Sequence, residues 1–112
     1  MRGELLKGNL DLLLLAILSG RPLHGYGIIE ALRERSDGAF TLPEGTVYPA
    51  LHRLEEAGLL ASRWSEANGR RRREYEISGV GREALRAREA EWRAFSGAME
   101  AVIGRASWTT AI

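Results

Sequence analysis

The dipeptide Asn68-Gly69 sits between two runs of alternating residues, and it commits this stretch of an otherwise helix-patterned chain to a β-hairpin. Leu60, Ser62 and Trp64 alternate with Ala61, Arg63 and Ser65, which predicts a short strand over Leu59 to Ser65. Glu66 to Gly69 supplies the turn, and Arg73, Tyr75 and Ile77 then alternate with Arg72, Glu74 and Glu76 as the second arm. Arg70, Arg71, Arg72 and Arg73 are consecutive, so the tip and second arm carry a cluster of cations. Residues 61–81 hold 5 basic and 3 acidic groups, whereas residues 1–60 hold 6 and 8. Adjacent cations on a thin hairpin repel one another unless an anion is near, and the cluster therefore points to a polyanionic partner.

Before the hairpin the pattern is helical. From Glu4 to Ser19, Leu6, Leu10, Leu13 and Ile17 recur at spacings of four, three and four, the period of a buried helix face. Leu12, Leu14, Leu15 and Leu18 widen that face, so this helix is expected to be covered on more than one side. Gly20-Arg21-Pro22 ends it. A second helix is expected from His24 to Ser36, with Tyr26, Ile29 and Leu32 inward, and Asp37-Gly38 reads as a turn.

The third helix, Pro43 to Ala57, is the most informative. Pro43 suits a first helical position, where its missing N–H costs nothing, and Glu44 favours the positive end of the helix dipole. Leu42 stands at the expected N-cap, a weak capping residue, so this start is expected to fray. Val47, Leu51 and Leu54 form the inward stripe and Gly58 is the stop. Thr46, Tyr48, Pro49, His52, Arg53 and Glu56 are left pointing outward. After the hairpin, Ser78 can cap a last helix from Gly79 to about Gly104, roughly 39 Å long. Leu85, Arg88, Trp92, Phe95, Met99 and Val102 make a heptad-like seam on it, with one charged miss at Arg88. Residues 105–112 are expected to fray.

Composition narrows the function. With 112 residues, 45% of them hydrophobic and 28% charged, the chain is one globular domain's worth. It has no cysteine, which removes disulfides, thiolate metal sites and cysteine nucleophiles. His24 and His52 are far apart and make a poor start for a zinc site. The longest apolar run, Leu12 to Leu18, is far short of the roughly 20 residues that span a bilayer, and no secretion signal is evident. A cytoplasmic protein with no membrane contact, no metal and no cofactor is expected. Glu55-Glu56 reads as a solvated helix face, and there is no Gly-rich phosphate loop or nucleophile elbow, so an enzyme is not expected.

Three helices, a two-stranded hairpin and a long last helix give the expected fold class: mainly α with a small β-hairpin, a winged helix-turn-helix over 1–78 plus a C-terminal dimerisation helix over 79–104. Such modules place the third helix in a DNA major groove and lay the wing on the flanking backbone. Thr46, Tyr48, His52 and Arg53 supply groove donors and acceptors, and Arg70, Arg71, Arg72 and Arg73 supply backbone cations. Lys7 is a further candidate for a phosphate. Leu85, Trp92, Phe95 and Met99 are the candidate dimer residues, and a loosely filled dimer interface is where a ligand cavity would form.

At these residues the sequence resembles the PadR family of bacterial transcriptional regulators. The resemblance runs through Leu6-Lys7-Gly8 with Asp11 and the leucines after it, and through His24-Gly25-Tyr26. It is strongest from Gly45 to Glu55, with Gly58-Leu59-Leu60 following, and closes on Tyr75, Ile77-Ser78 and Gly81 after the basic wing. A single helix after the wing is similar to the compact subgroup. The resemblance implies a dimeric repressor of an inverted-repeat operator, often near its own gene or a transporter or detoxification gene. It also implies that Tyr48 contacts DNA and that Trp92 lines a cavity between the two copies, where flat aromatic or cationic compounds stack. Two rivals stand beside this reading: a winged helix that docks a protein, against which the arginine wing argues, and a ligand sensor without DNA binding.

Overall fold

A computed structural model describes the backbone of residues 3–111 and the side chains of 5–104. Among the described residues five helices and three strands follow in the order α1 (Gly3–Lys7), α2 (Leu10–Leu18), β1 (Leu23–His24), α3 (Gly25–Arg35), α4 (Glu44–Glu56), β2 (Leu60–Ala67), β3 (Arg70–Ile77) and α5 (Gly79–Ala111). The winged-helix architecture and the long last helix are as expected from the sequence. The local departures each have a physical cause.

The single helix expected over Glu4 to Ser19 is broken at Gly8-Asn9. Both residues are poor helix formers. The Asn9 side-chain amide donates to the Leu5 carbonyl at 2.8 Å and its backbone N–H to Leu6 at 2.9 Å, which closes α1 before α2 begins. A third strand also appears: β1 pairs antiparallel with β3, Leu23 opposite Tyr75 and His24 opposite Glu74, giving the sheet order β1-β3-β2. Two residues are too few for alternation to show. Because β1 takes His24, α3 begins at Gly25, and its buried stripe is Gly25, Ile28 and Leu32. Tyr26, expected inward, is exposed.

Asn68 and Gly69 have φ of 54° and 74°, the pair of left-handed residues that a two-residue hairpin loop requires. Each arm is longer than expected and the register runs unbroken from Leu60 opposite Ile77 to Ala67 opposite Arg70. Pro43, not Leu42, caps α4, with extended φ and ψ of −78° and 159°, and the helix starts at Glu44. Gly58, φ 81°, stops it: the Leu59 N–H reaches the Leu54 carbonyl and the Gly58 N–H that of Glu55.

The core is a single cluster. Leu14, Leu15 and Leu18 of α2, Ile28 of α3, Val47, Leu51 and Leu54 of α4 and Tyr75 of β3 are its largest fully buried side chains. Burial pushes the Tyr75 hydroxyl above its usual pKa. Ser78 caps α5 as expected, its hydroxyl accepting from the Gly81 N–H at 2.9 Å and donating to the Gly58 carbonyl at 2.7 Å. Ala84 and Leu85 pack against the core, and further along α5 Trp92, Phe95, Met99, Val102 and Ile103 are exposed. The last helix departs from expectation at its end: α5 runs on to Ala111, past the stop expected near Gly104 and through residues expected to fray, a stretch without proline to break it. The side chains of 105–112 lie outside the described residues.

Candidate nucleic-acid interface

The two elements expected to meet DNA share a concavity. It has a volume of about 590 Å³ and lies between the start of α3, α4 and the hairpin, lined by Tyr26, Tyr48, Trp64 and all four arginines from Arg70 to Arg73. Tyr48 reaches it because it lies off the Val47, Leu51 and Leu54 stripe that anchors α4 in the core. Its ring lies across Gly25, where any Cβ would overlap the phenol. Gly25 is therefore needed for close approach. Partial burial raises the Tyr48 hydroxyl pKa, with Glu44 and then Tyr26 adding to the shift.

The hairpin register sorts the arginines. Trp64 lies opposite Arg73, and Glu66 opposite Arg71, so these side chains share the sheet face of Tyr75 and Ile77. Trp64 is 56% exposed, with the Arg71 guanidinium 4.8 Å from its ring centre and that of Arg73 at 5.2 Å. Arg73 also donates to the Ser62 hydroxyl at 2.9 Å and lies 3.9 Å from Glu55, while Ser62 donates to Glu55, which ties the wing to α4. Arg72 points to the other face. It is half-buried, its Nη1 donates to His24 Nε2 at 2.7 Å, and its buried Nε has no partner among the described residues. A guanidinium has only donors, so His24 accepts as a neutral imidazole. Burial, and then the Arg72 charge, hold the His24 pKa below 6.5. No carboxylate among the described residues is within ion-pair distance of Arg70, Arg71 or Arg72.

The other sequence candidates lie outside this concavity. His52 is exposed and Thr46 half-buried on α4, and Lys7 is exposed at the end of α1. Arg53 is held by Asp11 of α2 in a bidentate pair, at 2.8 and 2.9 Å, and not by Glu55 or Glu56. Trp64, Tyr26, His24 and Glu30, whose carboxylate pairs with Arg33 at 3.4 Å, also line the concavity without having been singled out as contacts. For Trp64 the signal was present: it is inward by alternation yet stands beyond the reach of the core, opposite an arginine.

On α5, Trp92 borders a largely apolar groove of about 510 Å³ with Leu5, Leu6, Leu12, Leu13 and Phe40. Leu85 is turned to the core, while Phe95 and Met99 are exposed. Among the described residues no group of three or more His, Asp or Glu could hold a metal ion, and no helix is long and apolar enough to cross a membrane.

Comparison with known proteins places this geometry. The profile of the transcriptional regulator PadR-like family matches residues 14–87. A transcriptional regulator of Mycobacterium tuberculosis is 41% identical over 63 residues, which is 56% of this chain and 56% of that protein. A PadR family transcriptional regulator of Eggerthella lenta superposes with a TM-score of 0.77 at 32% identity, covering 89% of this chain and 86% of that one. A transcriptional regulator of Clostridium thermocellum gives a TM-score of 0.81 at 26% identity, covering 88% and 96%. The profile runs from the middle of α2 through α3, α4 and the basic wing into the start of α5, about two thirds of the chain, and so the chain belongs to the PadR-like family, whose members are DNA-binding transcriptional regulators rather than enzymes.

Proposed function

We propose that this protein is a homodimeric, cytoplasmic repressor that reads an inverted-repeat operator and is released by a small planar ligand between its two copies. The observation that carries the DNA part is the shared concavity: Tyr48 of α4 faces the same space as Arg70 to Arg73, with no carboxylate among the described residues paired to the first three. Phosphate supplies the missing anion and the groove edges of bases supply partners for the polar face of α4. In this reading Tyr48, Thr46 and His52 contact base edges, Arg70, Arg71 and Arg73 contact phosphates, and Lys7 adds a phosphate contact from α1.

The dimer part is supported by the exposed α5 face of Trp92, Phe95 and Met99, an apolar stripe that water solvates poorly. Pairing through the C-terminal helices, here 79–104, sets the two reading helices about one DNA turn apart, roughly 34 Å. The groove beside Trp92 supports the ligand part: an aromatic compound stacked there would favour one spacing of the reading helices, and it would weaken DNA binding only as far as its affinities for the two spacings differ.

Hydroxyl-radical footprinting on the DNA upstream of the protein's own gene tests the whole reading. Two protected patches, symmetric and one turn apart, are expected. A single patch would overturn the dimer, and no patch at any protein concentration would favour a protein-docking wing.

A further inference from the structure

Two irregularities of the sequence meet at one carboxylate. Arg53 stands on the polar flank of α4, and Arg88 is the charged miss in the α5 seam; both reach Asp11 of α2. Asp11 accepts from Arg53 Nη1 at 2.8 Å and Nη2 at 2.9 Å, and its Oδ2 lies 3.5 Å from Arg88 Nη1. The Asp11 side chain is only 18% exposed, whereas Arg53 and Arg88 are 58% and 43% exposed.

We propose that Asp11 is a specificity-determining residue: it withholds the Arg53 charge from the DNA backbone, so that binding depends less on phosphate count and more on what α4 reads. The proposal rests on the DNA-binding reading above. Arg53 is always charged and lies one residue after His52 on the exposed side of the reading helix, where a free guanidinium would add a phosphate contact to every sequence alike. Its fork is instead occupied by two charge-assisted hydrogen bonds, and the pair is neutral. Engaging a phosphate would mean giving those up. Arg88 approaches the same carboxylate from α5 and fixes it from a second side. A cation held in this way drops out of the counterion-release term, which is the sequence-independent part of affinity.

The test is fluorescence anisotropy of a 20-base-pair random-sequence duplex over a salt series, with the wild type, Asp11→Asn, Arg53→Gln, Asp11→Asn/Arg53→Gln and Arg88→Gln. Asp11→Asn should bind several-fold tighter at low salt, with the slope of log K against log salt steeper by about one unit per protomer. The double variant should return to the wild-type slope, and Arg53→Gln and Arg88→Gln alone should leave it unchanged. A merely structural aspartate would weaken binding when replaced, the opposite sign. An unchanged or weaker Asp11→Asn, or an Arg53→Gln that flattens the slope with Asp11 in place, overturns the proposal. The Arg53→Gln arm decides it should Asp11→Asn fail to fold. A wild type that binds no duplex even at low salt overturns the DNA reading itself, and this proposal with it.

Discussion

Arg53 and Asp11 meet fork to fork, with Nη1 and Nη2 each within 2.9 Å of one carboxylate oxygen, and the pair ties the last turns of α4 to α2 across 42 residues of sequence. Arg53 is more than half exposed, so solvent screens the pair and its contribution to stability is modest. Asp11→Ala should cost about 1 kcal/mol, an estimate for a well-formed, partly buried ion pair. Urea unfolding with an unchanged m-value checks this, and no loss of stability would show that the pair does not hold the two helices together.

Gly25 and Tyr48 make a second joint. An added methyl at residue 25 would overlap the Tyr48 phenol, so Gly25→Ala should destabilise the fold by about 1–3 kcal/mol, the usual range for overpacking. Combining it with Tyr48→Ala should recover part of that loss, because the obstructing ring is gone. Additive losses in thermal melts would contradict the close approach.

Most of this architecture was legible in the sequence, for reasons visible residue by residue. Val47, Leu51 and Leu54 are spaced for one helix face and all three are buried; Asn68-Gly69 dictates the hairpin loop; Ser78 caps α5. What was not legible depends on partners distant in sequence. β1 is two residues long and exists only through Tyr75 and Glu74; it takes His24, so α3 starts at Gly25, and the face this helix packs inward is Gly25, Ile28 and Leu32, which leaves Tyr26 outward. The four arginines read as one cluster in sequence, but strand alternation sends Arg71 and Arg73 to Trp64 and Arg72 to His24. Arg53 has glutamates as near neighbours, yet its partner Asp11 lies in another helix.

That division among the arginines predicts unequal effects on DNA binding. Arg70→Ala and Arg71→Ala should each weaken binding to specific and random duplexes alike and flatten the salt dependence by about one unit for each phosphate no longer neutralised. Arg72→Ala should instead lower stability, since it removes a half-buried side chain hydrogen-bonded to His24. Salt titrations beside thermal melts separate the two classes; a flattened slope with unchanged stability for Arg72→Ala would contradict the assignment.

His24 makes the sheet sensitive to acid. Its folded pKa is lowered, so the unfolded chain takes up the proton first as pH falls. The stabilisation is fully present above pH 6.5 and is lost as pH drops from 6.5 through the lowered folded value, when a charged imidazole would face Arg72. Melting temperature should therefore fall between pH 7.5 and 5.5 by more in the wild type than in His24→Gln. Equal falls would mean that His24 is not the titrating group.

The α5 face predicts the oligomeric state. Phe95 is 64% exposed and Met99 46%, and a carboxylate at either place would be buried without a partner if two copies pair there. Phe95→Glu/Met99→Glu should sediment as a monomer at concentrations where the wild type is a dimer, with helix content retained. A dimer that survives both substitutions would place the contact elsewhere.

The most direct test of the central claim, that α4 and the wing together read DNA, is fluorescence anisotropy of the wild type and Tyr48→Ala on the DNA upstream of its own gene, beside a scrambled duplex of equal length, at several salt concentrations. The account predicts that the wild type prefers the upstream duplex with a steep negative salt slope. It also predicts that Tyr48→Ala loses about 1–3 kcal/mol on that duplex while keeping its affinity for the scrambled one. Equal losses on both duplexes, or a wild type that binds neither at low salt, would contradict it.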